Sequence, residues 1–159
     1  MQALEPVTIA DARAFLSLNI HDTEEDALLE MLIAGARAEA ETYLRRHIAQ
    51  QEVRIIHSAG PAVELADTPA FIQEVEWRRG LQDSEDITAL CSLTEYNELI
   101  TPADRNGILR ITYVCEEYCP PQIKNALLMM VRNAYTDRSS DPMTEDIKSI
   151  LAPHRVVRI

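Results

Sequence analysis

Four histidines, three cysteines and two adjacent acidic pairs are the residues of this 159-residue chain that could do chemistry if their spacing allowed it. His21, His47, His57 and His154 form no HxxxH or HExxH pair, the spacing that sets two imidazoles on one helix face around a metal. Cys91, Cys115 and Cys119 are an odd number without framework spacing, which predicts buried thiols in a reducing compartment. Cys115 and Cys119 are four apart, but Pro120 and Pro121 follow them and no nearby histidine completes a tetrahedral zinc set. Glu24-Glu25 and Glu116-Glu117 are neighbours in sequence, and neighbours do not share a helix face. They read as dipole and solubility charges, not as an acid/base dyad. With only 4 glycines there is no GxGxxG or P-loop, and no serine sits in a GxSxG elbow. The sequence therefore assigns no catalytic residue, no metal ligand and no cofactor, and the chain is read as a non-enzyme.

Charge narrows the classes further. The formal net charge is -11. Residues 1–50 carry nine acids and four bases, residues 51–119 thirteen and five, and residues 120–159 four and six. An acidic body repels phosphate, which disfavours high-affinity wrapping of DNA. A helix-turn-helix drawn through residues 8–46 fails for a related reason. Its recognition helix would open on Glu24, Glu25 and Asp26, where base edges should be met. Mean hydropathy is -0.15 and no apolar run approaches the roughly 18 residues of a membrane span. The opening MQALEPVTIADAR has no signal-peptide pattern, so the expectation is a soluble chain that is not exported.

The element that organises the chain is CPPQIKNALLMMVRNAYTDR, residues 119–138. Ile123, Ala126, Leu127, Met130, Val131, Ala134 and Tyr135 form an apolar stripe at helical period behind a proline pair suited to a first turn. Leu128 and Met129 lie off that stripe beside Arg132, and mark either a second contact surface or a wider buried face. Upstream, Thr8 and Asp11 make a capping-box pattern for a first helix over about 8–18. Thr23 followed by three acids opens a second, over about 23–47, whose stripe is Leu29, Leu32, Ile33, Ala36, Ala40, Tyr43 and Leu44. Small residues there, Gly35 and Ala38 among them, would let another backbone come close.

From Glu52 the period changes to that of strands. EVRIIHS, FIQEVEWRR, DITALCSL and ILRITYVC read as strands separated by AGPAVELADTP, GLQDSE and TPADRNG. The connections are too short for crossover helices, which predicts antiparallel pairing over about 52–116. A fourth helix is expected over about 144–152, capped by Thr144 and stopped by Pro153, then an extended tail over 153–159. That tail alternates basic and apolar residues and is a candidate for docking into a partner's sheet or groove. The predicted class is α+β: one mostly helical domain of about four helices over 1–159. A small antiparallel sheet is inserted between its second and third helices.

Three segments in this order resemble the head–tail connector (head-completion adaptor) proteins of long-tailed bacteriophages. They are VTIADARAFLSLNIHDTEEDALLEMLIAGARAEAETYLRR, ILRITYVCEEYCPPQIKNALLMMVRNAYTDR and the ending ILAPHRVVRI, with His154 at a position where that family carries an aromatic residue. The resemblance covers nearly the whole chain and is poorest over residues 60–106. It implies a non-enzymatic virion protein at the head–tail junction, present in the host cytoplasm during assembly. Copies would form a ring beneath the portal, matching its symmetry, and extend the DNA exit channel. Implied partners are other copies, the portal protein, a tail-side completion protein and packaged DNA passing without sequence-specific binding, with no membrane. The resemblance also points to Leu151, Arg155, Val157 and Arg158 for portal docking. Gly35, Ala38, Leu128, Met129 and Arg132 are the candidates for contacts between copies. The alternative readings are a DNA-packaging accessory factor, separable by salt-dependent DNA retardation, and a regulatory interaction module, separable by its lack of higher-order assembly.

Overall fold

A computed structural model describes residues 5–19, 21, 23–80, 83–102, 106–137 and 141–156. The chain divides into two compact units, one from Gln50–Glu116 and one from Leu4–Ala49 with Glu117–Ile159. Each has its own core.

The helical unit contains α1 (Ile9–Leu16), α2 (Asp26–Leu44), α3 (Pro121–Thr136) and α4 (Glu145–Leu151). The expected stripe of α3 is its buried face: Ile123, Ala126, Leu127, Met130 and Val131 are all at most 2% exposed. They pack with Leu29, Ile33, Ala36, Ala40 and Leu44 of α2 and with Ile147 and Leu151 of α4. α1 begins with the predicted capping box. The Asp11 N–H donates to Thr8 Oγ at 3.1 Å, and the Thr8 N–H donates back to the Asp11 carboxylate at 2.9 Å. Val7 before the cap and Ala12 in the fourth position are both buried, the apolar clasp that fixes how the chain enters the helix.

Thr23 does not cap α2. The helix starts at Asp26 with Glu25 at the N-cap and no side-chain cap, the Glu25 carboxylate accepting instead from the Tyr135 hydroxyl at 2.7 Å, and Asp26 pairs with Arg13, which is 5% exposed. Arg13 Nε donates to Asp26 Oδ1 at 3.1 Å and Arg13 Nη1 to the Asn19 carbonyl at 2.8 Å. A buried guanidinium with fixed acceptors ties the α1–α2 connection, and the helix dipole gives way to it. At the other end Arg45 adopts the left-handed conformation, φ 58°, and stops the helix short of residue 47.

The strand unit contains β1 (Glu52–Ser58), β2 (Ala62–Glu64), β3 (Pro69–Arg79), β4 (Asp83–Asp86), β5 (Ser92–Leu93), β6 (Glu98–Ile100) and β7 (Ile108–Cys115). The expected single sheet is two: β1-β7-β3-β4 and β2-β6-β5, every pairing antiparallel. EVRIIHS and ILRITYVC are β1 and β7 with the expected bounds, and FIQEVEWRR lies within β3. The run DITALCSL is not one strand. Asp86 accepts from the Thr88 N–H at 2.9 Å, and Thr88 Oγ accepts from the Val75 N–H at 2.7 Å. These side-chain bonds turn the chain into the 3-10 segment Thr88–Leu90. Two segments expected as breaks hold β2 and β4. Gly107 opens β7 at φ 150°, and a Cβ there would lie 2.3 Å from the Arg78 carbonyl oxygen, so only glycine fits beside β3.

The core of this unit is Val53, Val63, Leu65, Val75, Ile87, Leu99, Leu109, Ile111, Tyr113 and Cys115. Within it the Tyr113 hydroxyl donates to Asp67 Oδ2 at 3.1 Å, with both residues buried.

The Asp11 carboxyl is held down at about 2 by the Thr8 N–H, then the Thr8 hydroxyl, then Lys124 3.0 Å away. A depressed carboxylate stabilises the fold above its ordinary value near 3.8 and loses that contribution as pH falls toward about 2. Asp11→Ala is therefore expected to lower the melting temperature at pH 7. The gap from the parent should close between about pH 4 and pH 2 in a pH series of thermal melts.

Candidate assembly interface

The described residues hold no group of three or more His, Cys, Asp or Glu placed to bind a metal. The three cysteines are free. Burial, then Glu117, pushes the Cys119 thiol up to about 11, the opposite of an activated thiolate. What the helical unit offers instead is surface. Two adjoining grooves, about 230 and 250 Å³, run between α2 and α3. Leu32 and Met31 of α2 and Ala134 of α3 line both, and Met31 is 64% exposed.

Gly35 lies in this groove. A Cβ built on it meets nothing within 4 Å, so no element of its own chain accounts for a glycine there. Ala38, one turn on, is exposed. Glu39 edges the same groove, and burial followed by the nearby Asp141 raises its carboxyl above the ordinary value.

Leu128, Met129 and Arg132 occupy another part of α3. Leu128 and Met129 are half-buried, packed in part against the helical core and in part open to solvent. Arg132 is exposed, with its guanidinium carbon 5.8 Å from the centre of the Phe15 ring on α1. Met130 and Arg132 are two residues apart, about 200° around a helix, so the groove and the Arg132 edge face different ways. The structure brings Gly35 together with Met130 and Ala134; it does not bring Gly35 to Arg132. Sequence reasoning passed over Leu28 and Met31. The signal was present, since both are apolar and off the α2 stripe, the criterion already applied to Leu128 and Met129.

The C-terminal segment is less free than expected. Leu151 is fully buried in the helical core, so its side chain is an anchor and offers no surface. Ala152–His154 form a 3-10 turn where an extended tail was expected from residue 153. The Val156 N–H donates to the Leu44 carbonyl at 2.9 Å, pairing one of the carbonyls that the end of α2 leaves open. Tyr118 joins the same place: its hydroxyl is 3.1 Å from His154 Nδ1, and Arg46 lies over its ring at 3.7 Å. Arg155 is exposed, 5.2 Å above the Tyr43 ring. Val157 and Arg158 lie outside the described residues.

Residues 7–75 match the family model described as Phage gp6-like head-tail connector protein. Over that segment, α1 through most of β3, the chain is similar to the head–tail connector family, in agreement with the resemblance in its sequence. A search of curated protein sequences finds no match. Among solved structures, a chain from the "Neck of empty GTA particle computed with C6 symmetry" aligns with TM-score 0.76 at 16% identity. The alignment covers 100% of this chain and 97% of that one. A chain from the "Neck of native GTA particle computed with C12 symmetry" gives 0.73 at 15%, with the same coverage. A chain from the virion of the native gene transfer agent particle gives 0.72 at 16%, again over 100% and 97%. At these identities the likeness is one of fold.

Because Gly35 is helical and nothing crowds it, Gly35→Ala should stabilise the isolated subunit by about 0.5–1 kcal/mol, measured as the urea midpoint at constant m-value.

Proposed function

We propose that this chain is a structural, non-enzymatic virion protein that forms a ring adaptor between the phage portal and the tail and extends the DNA exit channel. The observation that supports this most is the conjunction of the connector-family match over residues 7–75 with a fold shared along the whole chain with neck proteins. Those neck structures were computed with C6 and C12 symmetry, as a ring requires. The protein then sits at the head–tail junction and passes through the host cytoplasm during assembly, the whole chain acting as one connector domain.

A ring is built from heterologous contacts, so each subunit needs two different faces. The groove holding Gly35, with Ala38 beside it, is one. The α3 edge with Leu128, Met129 and Arg132 is the other. The open space over Gly35 suits the approach of a neighbour's backbone. Portal docking falls to the C-terminal segment: Arg155, which follows the buried Leu151 and precedes the Val156–Leu44 hydrogen bond, and with it Val157 and Arg158. A tail-side completion protein takes the opposite end of the ring. Packaged DNA passes without sequence-specific binding, because a chain of net charge -11 offers phosphates few cations.

Light scattering and negative-stain microscopy, with and without the portal protein, test the reading. Rings are expected, alone or on the portal; a protein that stays monomeric and never joins the portal overturns it. Two variants test the assigned surfaces. Gly35→Leu should leave the subunit's thermal melt at or above that of the parent, as expected for Gly35→Ala, while lowering the assembled fraction. Arg155→Glu should weaken portal attachment roughly tenfold, as loss of one well-placed charge contact would, leaving the ring intact. Arg155→Glu is preferred to cutting residues 152–159, since the cut would also uncover the Leu44 carbonyl.

A further inference from the structure

The sheet β1-β7-β3-β4 ends in two open edges, and the hydrogen-bond parity of each is fixed. In β1 the Cys115 N–H donates to the Gln51 carbonyl and the Ala59 N–H to the Gly107 carbonyl. Odd-numbered residues from 51 to 59 therefore face β7, and the N–H and C=O of Glu52, Arg54 and Ile56 point outward. In β4 the Ile87 N–H donates to the Val75 carbonyl, so residues 83 and 85 face β3 while Ser84 and Asp86 point outward. Among the described residues no backbone partner meets these outward groups of Arg54, Ile56, Ser84 or Asp86. Both edges are exposed to solvent: Ile56 is 70% exposed and all of β4 is exposed.

The two edges differ in charge. β4 is Asp-Ser-Glu-Asp, while β1 carries Arg54, whose side chain is 71% exposed. Pairing β4 with β4 sets carboxylates against carboxylates, and pairing β1 with β1 about residue 54 sets Arg54 against Arg54, while about its centre it sets each Arg54 against an Ile56 with no charge partner. Like edges repel and unlike edges attract, which favours a head-to-tail contact over a two-fold one. Strand direction agrees. All three pairings in this sheet are antiparallel, so β1 and β4 run in opposite senses. Rotation about a ring axis keeps each strand's sense along that axis, so β4 of one copy meets β1 of the next antiparallel without turning either sheet over.

Charge also selects the register. Arg54 opposite Asp86, with Ile56 opposite Ser84, pairs unlike charges. A shift by two residues one way sets Glu52 against Asp86, and the other way leaves Asp86 against Ile56. Arg54 is already 2.7 Å from Glu52 and Asp86 already accepts from Thr88, yet a guanidinium has five donors and a carboxylate about four acceptor sites.

We propose that β1 of one copy and β4 of the next pair as antiparallel strands in this register, joining the sheets of neighbouring subunits. The inference rests on the ring reading above and specifies one of its contacts. Two outward pairs supply about four backbone hydrogen bonds. That is too little surface to hold a ring alone, so the seam sets the angle and register of a contact whose area comes from elsewhere.

In this register His57 faces Asp83 of the neighbour as a non-hydrogen-bonded pair, whose Cα atoms lie about 4.5 Å apart, within reach of a disulfide. The test is the full-length double variant His57→Cys with Asp83→Cys. Its rings are assembled from purified protein, with portal protein added if the subunit alone stays monomeric, then oxidised and run on a denaturing non-reducing gel. A ladder of covalent multimers is expected, absent from either single variant. Rings that form but give no ladder overturn the edge pairing and leave the ring reading standing; no rings under any condition remove both. Ser84→Pro gives a second measurement. The Ser84 N–H points outward, so proline there spares the subunit's own sheet and should leave its melt near that of the parent. The assembled fraction should fall at least tenfold, and unchanged assembly by the folded variant overturns the seam.

Discussion

Burial of the α3 stripe against α2 is the constraint on which the helical unit depends. Five side chains of α3, none more than 2% exposed, meet the alanine- and leucine-bearing face of α2. Every other helix is placed by that pair. α1 reaches α3 through the Asp11–Lys124 ion pair and α2 through the buried Arg13–Asp26 pair. α4 fills the remaining side with Ile147 and Leu151. Full burial of a Leu or Met side chain stabilises by about 1.5–3 kcal/mol, several times the worth of an exposed ion pair. The packing therefore sets the arrangement and the charges refine it.

The surface follows from what this packing leaves uncovered. Alanines and a glycine let α2 lie close to its neighbours, and on the outer side the same small residues leave a groove instead of a ridge. Met31 stands exposed at its margin, where a polar residue would serve solubility better. The strand unit shows a comparable tension. Its inner face is a conventional apolar core, while Ile56, Phe71 and Ile108 stand exposed. Exposed apolar residues grouped on a face mark contact surfaces more often than isolated ones do.

Much of this was legible in the sequence, for reasons that differ by element. The α3 stripe and the Thr8–Asp11 capping box are local patterns, each complete within about 16 residues, and they appear in the structure as read, whereas β7 is buried on both faces from Ile111 to Cys115. β2, β4 and β6 were not legible. Strands of three or four residues are defined by the strand they pair with, and DSED has no strand propensity of its own. The run through Thr88 misled because β-branched content resembles a strand until Asp86 and Thr88 bond locally. Buried Arg13 and Asp67 were hidden too, since their partners Asp26 and Tyr113 lie 13 and 46 positions away. In the groove between α2 and α3, Gly35 was legible as a glycine out of place in a helix. The free edges of β1 and β4 became visible only once the strand order was known.

The helical unit is interrupted in sequence by the whole of the strand unit, and this bears on how the protein is made. When α2 has left the ribosome, its apolar face has no partner until α3 follows, more than 70 residues later. At about 5–20 residues per second the delay is roughly 4–15 s. The strand unit is continuous and complete before α3 emerges, so it can fold while α2 waits. A nascent chain of this design carries an exposed Leu29-Ile33-Ala36-Ala40-Leu44 stripe through that interval, a hydrophobic surface of the kind chaperones hold. The arrival of α3 then covers that stripe, which ties completion of the helical core and of the groove between α2 and α3 to synthesis of nearly the whole polypeptide.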